Sequence, residues 1–144
     1  MANFSFGTTS TKRLQTCHID LQALLHEVMD KTQIDFTVCC GHRGEEEQEA
    51  AFDAGNSKAH FGESPHNCRP AMAFDIAPYY DGELQWDDID AFEELAELVK
   101  ECARDLKSRR IIGDDIVWGG DFHSFKDRPH FELKNWKDDC GDGW

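Results

Sequence analysis

From Leu21 onward the apolar residues Leu21, Leu24, Leu25, Val28 and Met29 return every three or four positions, the period of a helix that lays one stripe against a core. Asp20 stands just before them, where a carboxylate can cap the first turn. The period then changes: Ile34-Asp35-Phe36-Thr37-Val38-Cys39-Cys40 alternates and stops at Gly41, which predicts a strand ending in a turn. Glu45, Glu46 and Glu47 open a second helix, their carboxylates at the positive end of its dipole, with Gly55 available as a left-handed terminator. A longer helix is predicted from about Asp88 to Leu106, with Ile89, Phe92, Leu95, Ala96, Val99, Cys102, Ala103 and Leu106 as its inner stripe. The charges Glu93, Glu94, Glu97, Lys100 and Arg104 fall mainly on the outer face.

Three more strands are suggested by Met72–Ala77, Ile116–Trp118 and His130–Leu133, mixed with the helices and without a repeated strand-helix unit. This predicts an α+β fold, a small antiparallel sheet flanked by helices. A chain of 144 residues with 40% hydrophobic content, no linker and no repeat is expected to be a single domain over 1–144, without a separate binding module.

Composition narrows the partners. With 29 Asp+Glu against 15 Lys+Arg, the net charge of −14 repels nucleic acid and anionic membranes, so neither is expected as a partner. The opening residues lack a basic and then apolar leader, and no stretch approaches a membrane span, so accumulation in a cytoplasm is expected. Six cysteines (Cys17, Cys39, Cys40, Cys68, Cys102, Cys140) are expected as reduced thiols in that compartment. No Cys-x-x-Cys pair suggests a structural zinc site.

The candidate chemistry lies on two of the strands. In Met72–Ala77, alternation sets Asp75 between Ala73 and Ala77, away from Met72, Phe74 and Ile76, and an open surface around Asp75 is expected. In Pro129-His130-Phe131-Glu132-Leu133, His130 and Glu132 face away from buried Phe131 and Leu133, so His130 can meet Asp75 across the sheet. His66, in Ser64-Pro65-His66-Asn67, is nine positions before Asp75, within reach of a loop folding back over it. Two imidazoles and one carboxylate leave a fourth position for water, the pattern of catalytic zinc. From residue types alone, a surface histidine and a capping aspartate remain open.

The ordered segments Gly41-His42-Arg43 with Glu47-Gln48, Ser64-Pro65-His66, Ala73-Phe74-Asp75-Ile76-Ala77-Pro78, Val117-Trp118-Gly119-Gly120-Asp121-Phe122 and Asp127-Arg128-Pro129-His130-Phe131-Glu132-Leu133 resemble one zinc peptidase family. It contains the D-alanyl-D-alanine carboxypeptidases and the phage L-alanyl-D-glutamate endopeptidases, and shares its fold with the hedgehog signalling domain. The resemblance spans roughly residues 4 to 134, and the opening Phe6-Gly7, Ser10, Leu14 and Leu21-Gln22 is similar to phage endolysins.

The resemblance implies that His66, Asp75 and His130 hold Zn2+, that Asp127 is the general base, and that Arg43 binds the substrate carbonyl. An ion pair of Arg43 with Glu47 or Asp121, and a simple turn role for Asp127, are the competing readings. Glu132 is expected to hold His130, Gln48 and Ser64 to shape the pocket, and His42, His60 and His123 to be no ligands. The implied substrate is a peptidoglycan stem peptide, cut at L-Ala–D-Glu by a monomeric endolysin that leaves the host cytoplasm once the inner membrane is permeabilised. A D-Ala-D-Ala carboxypeptidase, or a non-catalytic zinc domain of the same fold, are the alternatives. In one respect the chain departs from the family: eight residues separate His66 from Asp75 where members commonly have six, and Cys68 in that loop raises the question of a fourth, thiolate ligand.

Overall fold

The structure, a computed structural model, describes residues 3–140. Its elements in chain order are α1 (Thr8–Leu14), α2 (Ile19–Lys31), β1 (Phe36–Cys40), α3 (Glu45–Asp53), β2 (Ala73–Tyr80), β3 (Glu83–Leu84), α4 (Ile89–Ser108), β4 (Ile116–Trp118), β5 (His130–Leu133) and α5 (Trp136–Cys140), with short 3-10 turns at Pro65–Asn67 and Gly119–Asp121. The strands form one antiparallel sheet in the order β1-β2-β5-β4, and β3 pairs with the far end of β2. The fold is α+β, as the alternation of periods suggested.

The stripes of α2 and α4 pack on each other and join Met72, Phe74 and Ile76, together with Phe131 and Leu133, in one core. Leu24, Leu25, Val28 and Val99 are fully buried there, each side chain contributing about 1.5–3 kcal/mol from lost contact with water. Phe74 and Phe131 stack across β2 and β5 with ring centroids 5.3 Å apart. Asp88 caps α4 by accepting from the Ala91 amide at 3.0 Å. Ile89, expected on the inner stripe, is 46% exposed because packing begins at Ala91 and Phe92.

The cap of α2 differs from expectation. His18 Nδ1, not Asp20, accepts the first-turn amide, that of Asp20 itself, at 3.0 Å. The Asp20 carboxylate is thereby free to accept from the Gly113 amide and fasten the loop after α4.

The open surface expected around Asp75 is also corrected. Ala73 and Ala77 are both fully buried, because a methyl side chain leaves room for close cover. Cys17, in the link between α1 and α2, brings its thiol to the Ala73 carbonyl at 3.8 Å. Only Asp75 in this row keeps an opening.

The expectation of reduced thiols fails at one pair. Packing of α5 against the turn that carries His66 brings the Cα atoms of Cys68 and Cys140 to 5.6 Å, and the two form a disulfide within the ordinary span of such bonds. Cys68 is therefore no free thiolate beside His66. Cys17, Cys39, Cys40 and Cys102 are free.

Candidate active site

Asp75 occupies the middle of the sheet, flanked by Cys40 on β1 and His130 on β5 at the same level. The pairing with Cys40 depends on a bulge: Val38 faces Ile76, and the register slips before Cys40 meets Asp75. Straight alternation would have placed Cys39 there and turned Cys40 inward with Val38. The bulge is why alternation along β1 does not reveal Cys40 beside Asp75.

His66 reaches the same point from a rigid turn. Pro65 opens the 3-10 turn, the Ser64 hydroxyl accepts from the His66 amide at 3.2 Å, and the Asn67 carboxamide bonds back to Ser64. The ring is 3% exposed, and its Nδ1 lies 2.8 Å from the Gly41 carbonyl. A carbonyl can only accept, so in the neutral ring, the form that binds a metal, Nδ1 carries the proton and Nε2 is left bare. Gly41 is needed at this spot: a Cβ there would run into the Arg13 carbonyl and the Thr16 hydroxyl.

His130 is oriented in the opposite sense. Its Nε2 is 2.7 Å from Glu132 Oε1, which leaves Nδ1 to face the others. His66 Nε2, His130 Nδ1 and Asp75 Oδ1 then form a triangle with all three sides 3.2 Å. A four-coordinate zinc with ligands at about 2.0–2.1 Å has its ligand atoms about 3.3–3.4 Å apart, so the donor set fits that ion in both spacing and tautomer. Cys40 offers a further donor, within 4.8 Å of donor atoms on His66 and Asp75.

The charged groups of the triangle act on one another. Burial alone would drive the His66 imidazolium to lose its proton, but the Asp75 carboxylate outweighs it and carries the pKa up to about 10. His130 moves upward for the same reason, through Asp75 and Glu132. Asp75 is held well below the ordinary carboxylate range despite its burial, by the two imidazoles.

Arg43 projects into the same space from the segment after β1. Its Nη2 is 3.8 Å from Asp75 Oδ2 and 3.7 Å from Cys40 Sγ, and its Nη1 donates to Gln48 Oε1 at 3.0 Å. Neither Glu47 nor Asp121 is its partner; Asp121 pairs with Lys100. Gln48 is fully buried and uses every capacity of its amide: its oxygen also accepts from Asn67, and its nitrogen donates to Ser57 and Ala59. Asn67 was not singled out in the sequence, yet it ties Gln48 to the Arg43 carbonyl.

Asp127 hangs from a loop pinned at three successive residues. Its amide donates to the Gly119 carbonyl, the Arg128 carbonyl accepts from Trp118 Nε1, and the Pro129 carbonyl accepts from the Ile76 amide. A Cβ on Gly119 would collide with the Asp127 backbone, so glycine permits this approach. Burial pushes the Asp127 carboxyl above the usual range, against the attraction of His130.

The triangle, Arg43, Asp127 and Glu132 all line one cleft of about 380 Å3. His42, His60 and His123 do not line it. His60 and His123 are exposed, whereas His42 Nε2 is buried without a hydrogen-bond partner among the described residues. No helix among the described residues is long and apolar enough to cross a membrane.

A model of the phage L-alanyl-D-glutamate peptidase family matches residues 1–134. The chain is 28% identical over 123 residues to the L-alanyl-D-glutamate peptidase of Escherichia phage T5, covering 84% of this chain and 88% of that protein. Its fold is similar to the crystal structure of the Serratia marcescens L-Ala D-Glu endopeptidase ChiX, with a TM-score of 0.76, 26% identity, and coverage of 94% of this chain and 93% of the other.

Proposed function

Because the chain belongs to the phage L-alanyl-D-glutamate peptidase family, we propose that it is a zinc endopeptidase that hydrolyses the L-Ala–D-Glu bond of peptidoglycan stem peptides, in the manner of an endolysin. The observation that carries the metal is the 3.2 Å triangle of His66 Nε2, Asp75 Oδ1 and His130 Nδ1. These three residues would hold the ion. When bound, zinc supplies Lewis acidity toward the scissile carbonyl and the attacking water.

The chain's own residues do the rest. Asp127 takes a proton from the attacking water and returns it to the leaving amine; a carboxyl raised by burial holds that proton better than an ordinary one. Arg43, aimed by Gln48 and Asp75, offers a fixed cation to the negative charge that develops on the carbonyl oxygen. Glu132 keeps His130 in the tautomer that presents Nδ1. The Gly41 carbonyl holds His66 in the opposite tautomer, the one that presents Nε2.

Mass spectrometry of purified peptidoglycan after digestion tests the reading. New L-Ala carboxyl termini on the glycan side, with D-Glu amino termini on the released peptides, are expected. Loss of one terminal D-Ala instead identifies a carboxypeptidase, and no product overturns a hydrolytic role.

A further inference from the structure

The cleft carries charge that the chemistry above does not use. Its carboxylates are engaged or assigned: Asp75 by the two imidazoles and Arg43, Glu132 by His130, Glu63 by the His60 amide, and Asp127 as the proton carrier. Its side-chain ammonium groups, unlike the Arg43 guanidinium, are not. Lys58 and Lys126 both line the cleft, both are exposed, and neither has a carboxylate partner among the described residues. They come from opposite lips. Lys58 follows α3 and Lys126 precedes Asp127 in the β4–β5 loop, and Lys58 Nζ sits 5.5 Å from the ring centre of Phe125 on the facing lip.

A chain with net charge −14 repels an anionic ligand at long range, so local cations at the cleft mouth are where that repulsion can be reversed. The substrate class supplies the anion. A glutamyl residue joined onward through one of its carboxyls keeps the other free, next to the bond that is cut. We infer that Lys58 and Lys126 form the specificity site for this free carboxylate, gripping the D-Glu side of the scissile bond between the two lips. The inference rests on the endopeptidase reading and adds to it the residues that tell a glutamate from its amide.

The test uses the zinc-loaded chain and two synthetic stem peptides that differ only in that group, one with the free carboxylate and one with a carboxamide. Wild type should prefer the carboxylate peptide in kcat/KM by about tenfold, roughly threefold from each exposed lysine. Lys58→Met and Lys126→Met should each cut the preference to about threefold, and the double variant, like Lys126→Glu alone, should abolish it. Added salt should raise KM for the carboxylate peptide only. Zinc content and Tm, measured alongside, separate a lost contact from a damaged fold, and Lys58→Arg should restore the preference.

Hydrolysis of both peptides with equal kcat/KM, or a preference indifferent to both lysines, overturns this inference and leaves the endopeptidase reading standing. Hydrolysis of neither by wild type overturns both.

Discussion

Asp75 on β2 and His130 on β5 face each other in register, and Oδ1 of the one lies 3.2 Å from Nδ1 of the other. The sheet itself therefore sets two corners of the donor triangle, and only His66 depends on a loop. This matters for pH. The imidazoles of the metal-free chain have pKa values raised above the ordinary 6.5, His66 to about 10. A raised folded-state pKa means that their stabilising pairing with Asp75 is complete below about 6.5 and is lost as pH rises through the folded value. Asp75, shifted downward, contributes above its ordinary 3.8 and is lost only as pH falls below that.

Zinc would require both imidazoles neutral, so its binding would displace those protons and strengthen over the same interval in which the pairing with Asp75 fades. The Tm difference between zinc-loaded and zinc-free protein should therefore widen from about pH 6 to about pH 8. Differential scanning calorimetry at matched ionic strength measures it. A gap that narrows with pH would mean that these imidazoles do not bind the ion.

Cys40 is close enough to the triangle to be a fourth ligand, yet its thiol faces the Arg43 guanidinium at 3.7 Å and the Gly41 carbonyl at 3.5 Å. A three-donor open site predicts that Cys40→Ser keeps its zinc and that the cobalt-substituted protein shows no thiolate-to-metal charge-transfer band in the near ultraviolet. A band that disappears in Cys40→Ser would make the set four.

Gln48 offers a prediction about positioning. Gln48→Ala takes one of two acceptors from Asn67 Nδ2 and the acceptor of Arg43 Nη1 and should cost about 1–3 kcal/mol of stability for stranded donors. Zinc content should hold, while kcat falls because Arg43 loses its aim. Denaturant unfolding and steady-state kinetics on the same preparation separate the two effects.

The disulfide between Cys68 and Cys140 closes a loop of 72 residues. The chain-entropy relation gives about 4 kcal/mol for such a loop. Cys140→Ser, or reduction of the wild type, should lower the Tm, and because Cys68 is two residues from His66 it should also weaken zinc retention against a chelator. Unchanged retention would show that the turn at Pro65–Asn67 holds His66 without help from α5.

What could be read in the sequence follows from how local each signal is. The stripes of α2 and α4 and the alternation of β5 are local patterns, and those elements form where the patterns lie. The segment Thr8–Leu14 has no stripe; it is polar except for Leu14, and its burial of Ser10 and Leu14 depends on β1, whose Val38 amide donates to the Ser10 hydroxyl. The meeting of Asp75 with His130 follows from alternation on two strands. That of Asp75 with Cys40 requires a bulge, which alternation cannot reveal. Disulfide partners 72 residues apart leave no mark in either sequence neighbourhood.

Asp127 and Asp75 are two carboxylates at one cleft with different assigned work, and substitution should tell them apart. Asp75 shares the triangle with both imidazoles, so Asp75→Ala should lose zinc, activity and whatever stability the ion contributes. Asp127 has its backbone pinned to Gly119, and among the described residues its carboxylate has no side-chain ion-pair partner. Asp127→Asn keeps the size and the backbone bonds but cannot take a proton. It should retain zinc and Tm while turnover falls by about a hundredfold or more, the usual scale for removing a positioned acid-base group. Zinc content by atomic absorption, Tm and kcat on one preparation decide the matter. Wild-type turnover in Asp127→Asn would pass the proton to another carboxylate of the cleft, with Glu132 the nearest in sequence; loss of zinc in that variant would make Asp127 a ligand and redraw the triangle.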